Sequence, residues 1–263
     1  MSICIAAKNP ARVPCREVVV CCDTKVSTES LSAETGKGKL HLLGPRWCVL
    51  TAGLNPSIDE VVSIFKASLP DLKDKHPLES LRVTFRKWRS RIAEAFIHDR
   101  HAITMEQFYG HGKVWFDSET WKETQNQLAA TYESRKLEVE MILIGCVGGS
   151  LSIYRIYRGD IVESDSFAMI GSGSVVGEAA FYWRIEHDAI HDLEQTIYAS
   201  YEAKKLSELS PFVGEQTLVI IVERTENGGL SFDRGKSVDT RILDAKLKRF
   251  GLKPHQGKSR LIG

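Results

Sequence analysis

Apolar residues take three textures along this chain: short unbroken runs, β-branched runs, and long stretches in which they recur every three or four positions. The first run, Ile3 to Ala7, stops at Lys8-Asn9-Pro10 and suits a short buried strand over residues 2–8. Asn9 to Pro14 carries two prolines and reads as a turn. Arg16 to Asp23 (Arg-Glu-Val-Val-Val-Cys-Cys-Asp) is β-branched and almost wholly apolar, which predicts a strand buried on both faces. Polar residues 24–38 make an extended excursion. Lys39–Leu43 and Trp47–Ala52 then read as a hairpin around Gly44-Pro45, and a helix follows over Ile58–Leu69, with Pro56 near its start.

Helical periodicity takes over in the middle. Leu81, Phe85, Trp88, Ile92, Ala95 and Phe96 predict a helix over Leu78–His98, and Ser118–Arg135 predicts another, with a loop at Phe108–Gly112 between them. Strand patterns return at Glu138–Val147, Leu151–Tyr157 and Ile161–Ile170, separated by turns at Gly148-Gly149 and Arg158–Asp160. Two helices (Val175–Arg184 and Ala189–Leu206), an apolar strand over Thr217–Val222, a Gly228-Gly229 turn, a short strand and a helix over Asp239–Phe250 complete the order. Strands in blocks, then helices in blocks, favour antiparallel sheets covered by helices, an α+β class. No stretch has the composition of a linker, so residues 1–263 read as one domain.

Composition narrows the classes. The 43% apolar and 26% charged residues are ordinary for a globular chain. A formal charge of +1 gives no global pull toward nucleic acid or an anionic membrane. The basic tail, about 234–263, holds nine Lys/Arg against two Asp, without the interleaved aromatics of a nucleic-acid surface. The five-residue start is too short for a membrane span or a signal peptide. Six cysteines show no C-x-x-C pair and read as reduced core thiols. The expected location is cytoplasmic.

Four features could carry chemistry. Gly171-Ser-Gly-Ser-Val-Val-Gly177 has a dinucleotide-loop look, but no βαβ crossover surrounds it, and a tight strand-to-helix corner explains its glycines. His187/His191 and His98/His101 have helical spacing, yet Asp188 stands where a zinc-protease helix needs Glu, so no metal is expected. The basic tail is the third. The fourth is the set Ser2, Asp23, Lys39 and Gly53. Removal of Met1 before this small residue would leave Ser2 with a free α-amine, a base near neutral pH beside its own hydroxyl. A buried Lys39 ammonium would tune both groups, Asp23 would hold that ammonium, and the Gly53 N–H could receive an oxyanion.

At these residues the chain resembles the proteasome β-subunit type of N-terminal-nucleophile hydrolase, including its bacterial and archaeal proteasome-like branch. The likeness runs through Val18–Ser27, Gly38-Lys39-Leu40, Ala52-Gly53, Tyr154–Ile156, Gly159–Glu163 and Ile170–Ser174, and the Asp23-to-Lys39-to-Gly53 spacing matches the family's catalytic set. The resemblance implies a four-layer αββα sandwich of two antiparallel sheets, amide-bond hydrolysis of a peptide or protein without a cofactor, and assembly into a homo-oligomer. It implies that Ser172 hydrogen-bonds near the terminal amine. The chain departs from the pattern in four ways: Ser replaces the usual Thr, no Asp is in register around Ser207–Ser210, Asn9–Arg16 is longer than a tight hairpin, and a helical segment at about 70–137 is enlarged. The alternative reading is a non-catalytic structural or interaction subunit of the same fold.

Overall fold

The computed structural model describes residues 2–27, 32–34, 39–53, 55–69, 77–137, 139–187, 189–233 and 238–251. The chain opens with β1 (Cys4–Lys8), β2 (Glu17–Asp23), a short pair β3 (Lys25–Ser27) and β4 (Ser32–Glu34), β5 (Leu40–Leu42) and β6 (Trp47–Gly53). Helices α1 (Asn55–Ser68), α2 (Pro77–His101), α3 (Met105–Trp115) and α4 (Ser118–Leu137) follow. Then come β7 (Val139–Val147), β8 (Ser150–Tyr157), β9 (Asp160–Ser164), β10 (Phe167–Ile170), α5 (Ser174–Glu186), α6 (Leu193–Ser207), β11 (Thr217–Arg224), β12 (Leu230–Asp233) and α7 (Thr240–Phe250).

The strands build two five-stranded antiparallel sheets, ordered β10-β1-β2-β11-β12 and β5-β6-β7-β8-β9. Side-chain alternation explains why the central strands are apolar throughout. On one face of the first sheet Cys4, Ala6, Val18, Val20 and Cys22 meet Cys48, Leu50, Ala52, Ile142 and Ile144 of the second sheet. On its other face Ile3, Ile5, Val19 and Cys21 pack with Phe181, Ala199, Tyr201 and Leu243 from α5, α6 and α7. The far face of the second sheet packs Trp47, Val49, Met141 and Leu143 against Ile58, Phe65, Leu81 and Trp88 of α1 and α2. Helices, sheet, sheet and helices therefore stack in that order, in a mixed α+β molecule with seven helices among the described residues. Each large aliphatic side chain fully removed from water here contributes about 1.5–3 kcal/mol. Among the described residues no helix is long and apolar enough to cross a membrane.

Two expectations need correction. Phe108–Gly112 is not a loop but the middle of α3, opened by a capping box between Thr104 and Gln107. Gly112 serves packing there: a Cβ would lie 2.4 Å from the Trp121 ring. The run Ile161–Ile170 is two strands that part at Asp165-Ser166 and join different sheets, β9 beside β8 and β10 beside β1. The helix expected over Leu78–His98 is present as α2; its buried apolar positions include Leu81, Phe85, Trp88, Ile92 and Ile97, the last packed with Phe108 and Trp121.

Candidate functional site

The site begins where β1 meets β2. Their register brings Ile3 opposite Asp23, and the Asp23 N–H donates to the Ile3 carbonyl at 3.3 Å. The reciprocal bond is not made to a backbone oxygen. Instead the Ile3 N–H donates to Asp23 Oδ1 at 3.1 Å, so a side-chain carboxylate closes the last rung of the ladder. Lys39, just before β5 in the other sheet, donates from Nζ to the same Oδ1 and forms an ion pair with it. The Gly214 N–H donates to Oδ2 at 2.8 Å. Asp23 is wholly buried and Lys39 is 8% exposed. A buried charge is tolerable only when it is paired and hydrogen-bonded, and three donors on one carboxylate do this for Asp23. The expected Asp23–Lys39 contact is therefore made, one residue from Ser2 and across the seam between the sheets.

Ser2 is 4% exposed, and its carbonyl points into the strand-to-helix corner. The Gly173 N–H approaches that carbonyl at 3.5 Å. At Gly171, whose φ is +96°, a Cβ would stand 2.0 Å from the Ser2 oxygen. Only glycine permits that approach. The glycines of this corner accommodate the chain's own first strand and α6: a Cβ at Gly177 would meet Ile3 and Ser207. Ser172, expected to bond near the terminal amine, is exposed; the backbone of its two glycine neighbours is what touches Ser2. Ser207 is buried, with its hydroxyl 3.0 Å from the Gly173 carbonyl and 2.7 Å from that of Ala203.

Gly53 ends β6, opposite Val139. The Thr51 N–H donates to the Lys39 carbonyl at 3.1 Å. Alternation along a strand then turns the Gly53 N–H toward the same edge, the one on which Lys39 stands. A further link joins this end of β6 to Ser2. Ala52 pairs with Glu140, and Glu140 Oε2 accepts from the Gly171 N–H at 2.6 Å. Ser2, Asp23, Lys39 and Gly53 thus come to one end of the seam, with Ser172 at its rim.

Sequence reasoning missed Gly214, Glu140 and Lys204. Lys204 on α6 has no exposed surface, and its Nζ donates to the carbonyls of Gly214 at 2.8 Å and Glu215 at 3.0 Å while pairing with Glu208. Burial lowers its pKa, and the Glu208 carboxylate opposes that shift. The neighbours of Lys204 on the buried face of α6 include Thr196, Ser200, Glu202 and Ser207 as well as Ala199 and Ala203, so no apolar pattern set the lysine apart in the sequence. Cys4, two residues from Ser2, offers no competing nucleophile: burial pushes its thiol well up, and Sγ points at the Thr51 carbonyl 3.6 Å away.

The other candidates fall apart in space. His101 bonds Thr124, and His187 contacts the Trp183 carbonyl, each on its own surface. Among the described residues no group of three His, Cys, Asp or Glu side chains could hold a metal ion. The basic tail beyond residue 251 lies outside the described residues, as do Met1 and Asp188. A cavity of about 470 Å³ lies among α5, α6 and α7, lined by Arg184, Asp192, Tyr198 and Lys246, away from the Ser2 cluster. What the cluster offers chemically is the Ser2 hydroxyl, an ammonium held by a carboxylate, that carboxylate with three donors on it, and a backbone N–H on the facing strand. Comparison of the chain with protein-family models and with curated proteins finds no match to either.

Proposed function

We propose that this protein is an N-terminal-serine hydrolase of the proteasome-like type, with the four-layer fold of that class, acting on amide bonds of a peptide or protein. The observation that carries the reading is the shared Oδ1 of Asp23, which binds both the Ile3 amide and the Lys39 ammonium beside Ser2. With Met1 removed, the Ser2 α-amine takes the hydroxyl proton as Oγ attacks the substrate carbonyl carbon. The Gly53 N–H stabilises the resulting oxyanion. As the tetrahedral species collapses, the C–N bond breaks and the α-ammonium returns its proton to the leaving amine. Water, deprotonated by the same amine, then cleaves the acyl-serine ester and releases the acid. Lys39 holds positive charge near both reacting groups, and Asp23 holds Lys39. A homo-oligomer and a cytoplasmic setting belong to the same proposal; the six free cysteines suit a reducing compartment.

The test is intact mass and N-terminal sequence of the purified protein, followed by labelling with an acylating β-lactone. A chain starting at Ser2, labelled on Ser2 and unlabelled as Ser2→Ala, is expected. Labelled, active protein that still carries Met1 would overturn the mechanism, because an acylated amine cannot act as base. An unlabelled chain that assembles equally well with Ser2→Ala would favour a structural subunit.

A further inference from the structure

We propose that Lys204 is a positioning residue for the Asp23–Lys39 pair, acting through the backbone of Gly214. The proposal deepens the hydrolase reading and rests on it for the role of Asp23. Lysines ordinarily lay their stems along the protein and keep the ammonium in water. Lys204 does the reverse: it is wholly buried, and its ammonium is spent on two loop carbonyls and one carboxylate. Taking an ammonium out of water is costly, so its place needs an account beyond filling space.

The loop it holds supplies that account. After α6 the chain leaves the helix through short turns, Ser210 N–H to Ser207 C=O at 3.0 Å and Val213 N–H to Ser210 C=O at 3.1 Å. Three residues past Gly214, β11 starts with Thr217 opposite Asp23. Gly214 is thus clamped between opposite charges. Its carbonyl accepts from Lys204, and its N–H donates to Asp23 Oδ2. Glycine has the widest conformational freedom of any residue, so an unclamped Gly214 would point its amide in many directions. Lys204 removes that freedom and fixes the donor that orients the carboxylate. Glu208, itself also paired with Lys205, balances the charge without touching the loop carbonyls.

The experiment uses the full chain as wild type, Lys204→Met, Lys204→Met/Glu208→Gln and Glu208→Gln. The double variant also removes the carboxylate that Lys204→Met would leave to Lys205 alone. Two readouts are taken: hydrogen exchange of the Gly214 amide, and the kinetics of Ser2 acylation by the β-lactone, resolved into a limiting rate and a half-saturating concentration. Lys204→Met, alone or in the double variant, is expected to expose the Gly214 amide and to lower the limiting rate roughly ten- to hundredfold, the range for one hydrogen bond to a charged group. The half-saturating concentration stays put, and Glu208→Gln retains protection at Gly214. A merely structural lysine would reduce the fraction of folded protein and leave the limiting rate per folded molecule unchanged; that result overturns the proposal. So does a wild-type Gly214 amide that exchanges like an open loop. If wild type is not acylated at all, the hydrolase reading fails, and the exchange data alone judge whether Lys204 fixes Gly214.

Discussion

Replacing Asp23 with Asn keeps the size of the side chain and removes its charge, which isolates what the carboxylate does. Asp23 accepts from the Ile3 amide and Lys39 on Oδ1 and from the Gly214 amide on Oδ2. An Asn can place its oxygen at only one of those two positions. With oxygen toward Ile3 and Lys39, its NH2 faces the Gly214 N–H, donor against donor; flipped, it faces an N–H and an ammonium. An unsatisfied buried donor costs about 1–3 kcal/mol. Either way Lys39, 8% exposed, loses its counter-charge, and breaking one side of a buried pair costs about 3–5 kcal/mol. The two penalties overlap, so about 3–5 kcal/mol is the expected loss, a large part of the 5–15 kcal/mol typical of a whole domain. Urea unfolding followed by tryptophan fluorescence measures it, for Asp23→Asn, Lys39→Met and the pair together. The double variant should cost less than the sum of the singles by more than about 1 kcal/mol, since each single strands the partner. Additive losses, or an Asp23→Asn loss under about 1 kcal/mol with an unchanged denaturant slope, would refute the reasoning.

Two further outcomes follow from the same geometry. Gly171→Ala forces a side chain into a φ of +96° and against the Ser2 backbone, so it should cost at least about 2 kcal/mol in urea unfolding and displace Ser2 enough to abolish acylation; wild-type values on both would contradict the corner's role. His41 has its pKa lowered by burial, with a further push from the Lys66 charge partly offset by Asp59. The unfolded imidazole then binds its proton near pH 6.5 while the folded one resists it, so stability should fall as pH drops below about 6.5 and gain nothing above it. His41→Gln should flatten that slope below about pH 6.5, as read from urea midpoints at several pH values.

What was legible in the sequence depended on how local its cause was. Val18 to Cys22 announced a strand buried on both faces because both faces are in fact covered, one by the second sheet and one by the helices. The ends of strands were legible as well: a single Asp, Lys or Gly interrupting an apolar run marks an edge, and Asp23, Lys39 and Gly53 sit at such edges. Phe108–Gly112 misled because glycine was read as a breaker, whereas Gly112 is small to admit Trp121. The break at Asp165-Ser166 was hidden because two strands of different sheets abut with only two residues between them. Gly214 and Glu140 were beyond reach for a different reason. Gly214 meets Asp23 across 191 positions and Glu140 meets Gly171 across 31, and no spacing rule encodes a backbone amide chosen by tertiary contact.

The same contrast bears on why an ion pair stands at this place at all. Elsewhere the seam between the sheets is filled by Cys4, Ala6, Val20, Leu50, Ile142 and Ile144, which need no partners and leave nothing unsatisfied. A buried salt bridge seldom stabilises a fold more than apolar residues of the same volume would, because desolvation cancels much of the attraction. The attraction between the two charges therefore adds little that a leucine pair could not, and what Asp23 contributes to the fold is its acceptance from the Ile3 and Gly214 amides, with Lys204 behind Gly214. In the proposed hydrolase reading, the charge that is costly to bury here serves the chemistry at the residue beside it. Asp23→Leu/Lys39→Met makes that argument measurable: it removes both charges and leaves the Ile3 and Gly214 N–H groups without an acceptor at about 1–3 kcal/mol each, so a urea-stability loss of that origin, together with lost acylation of Ser2, is the expected result. A double variant that is acylated at the wild-type rate would leave the pair with no function in the hydrolase reading.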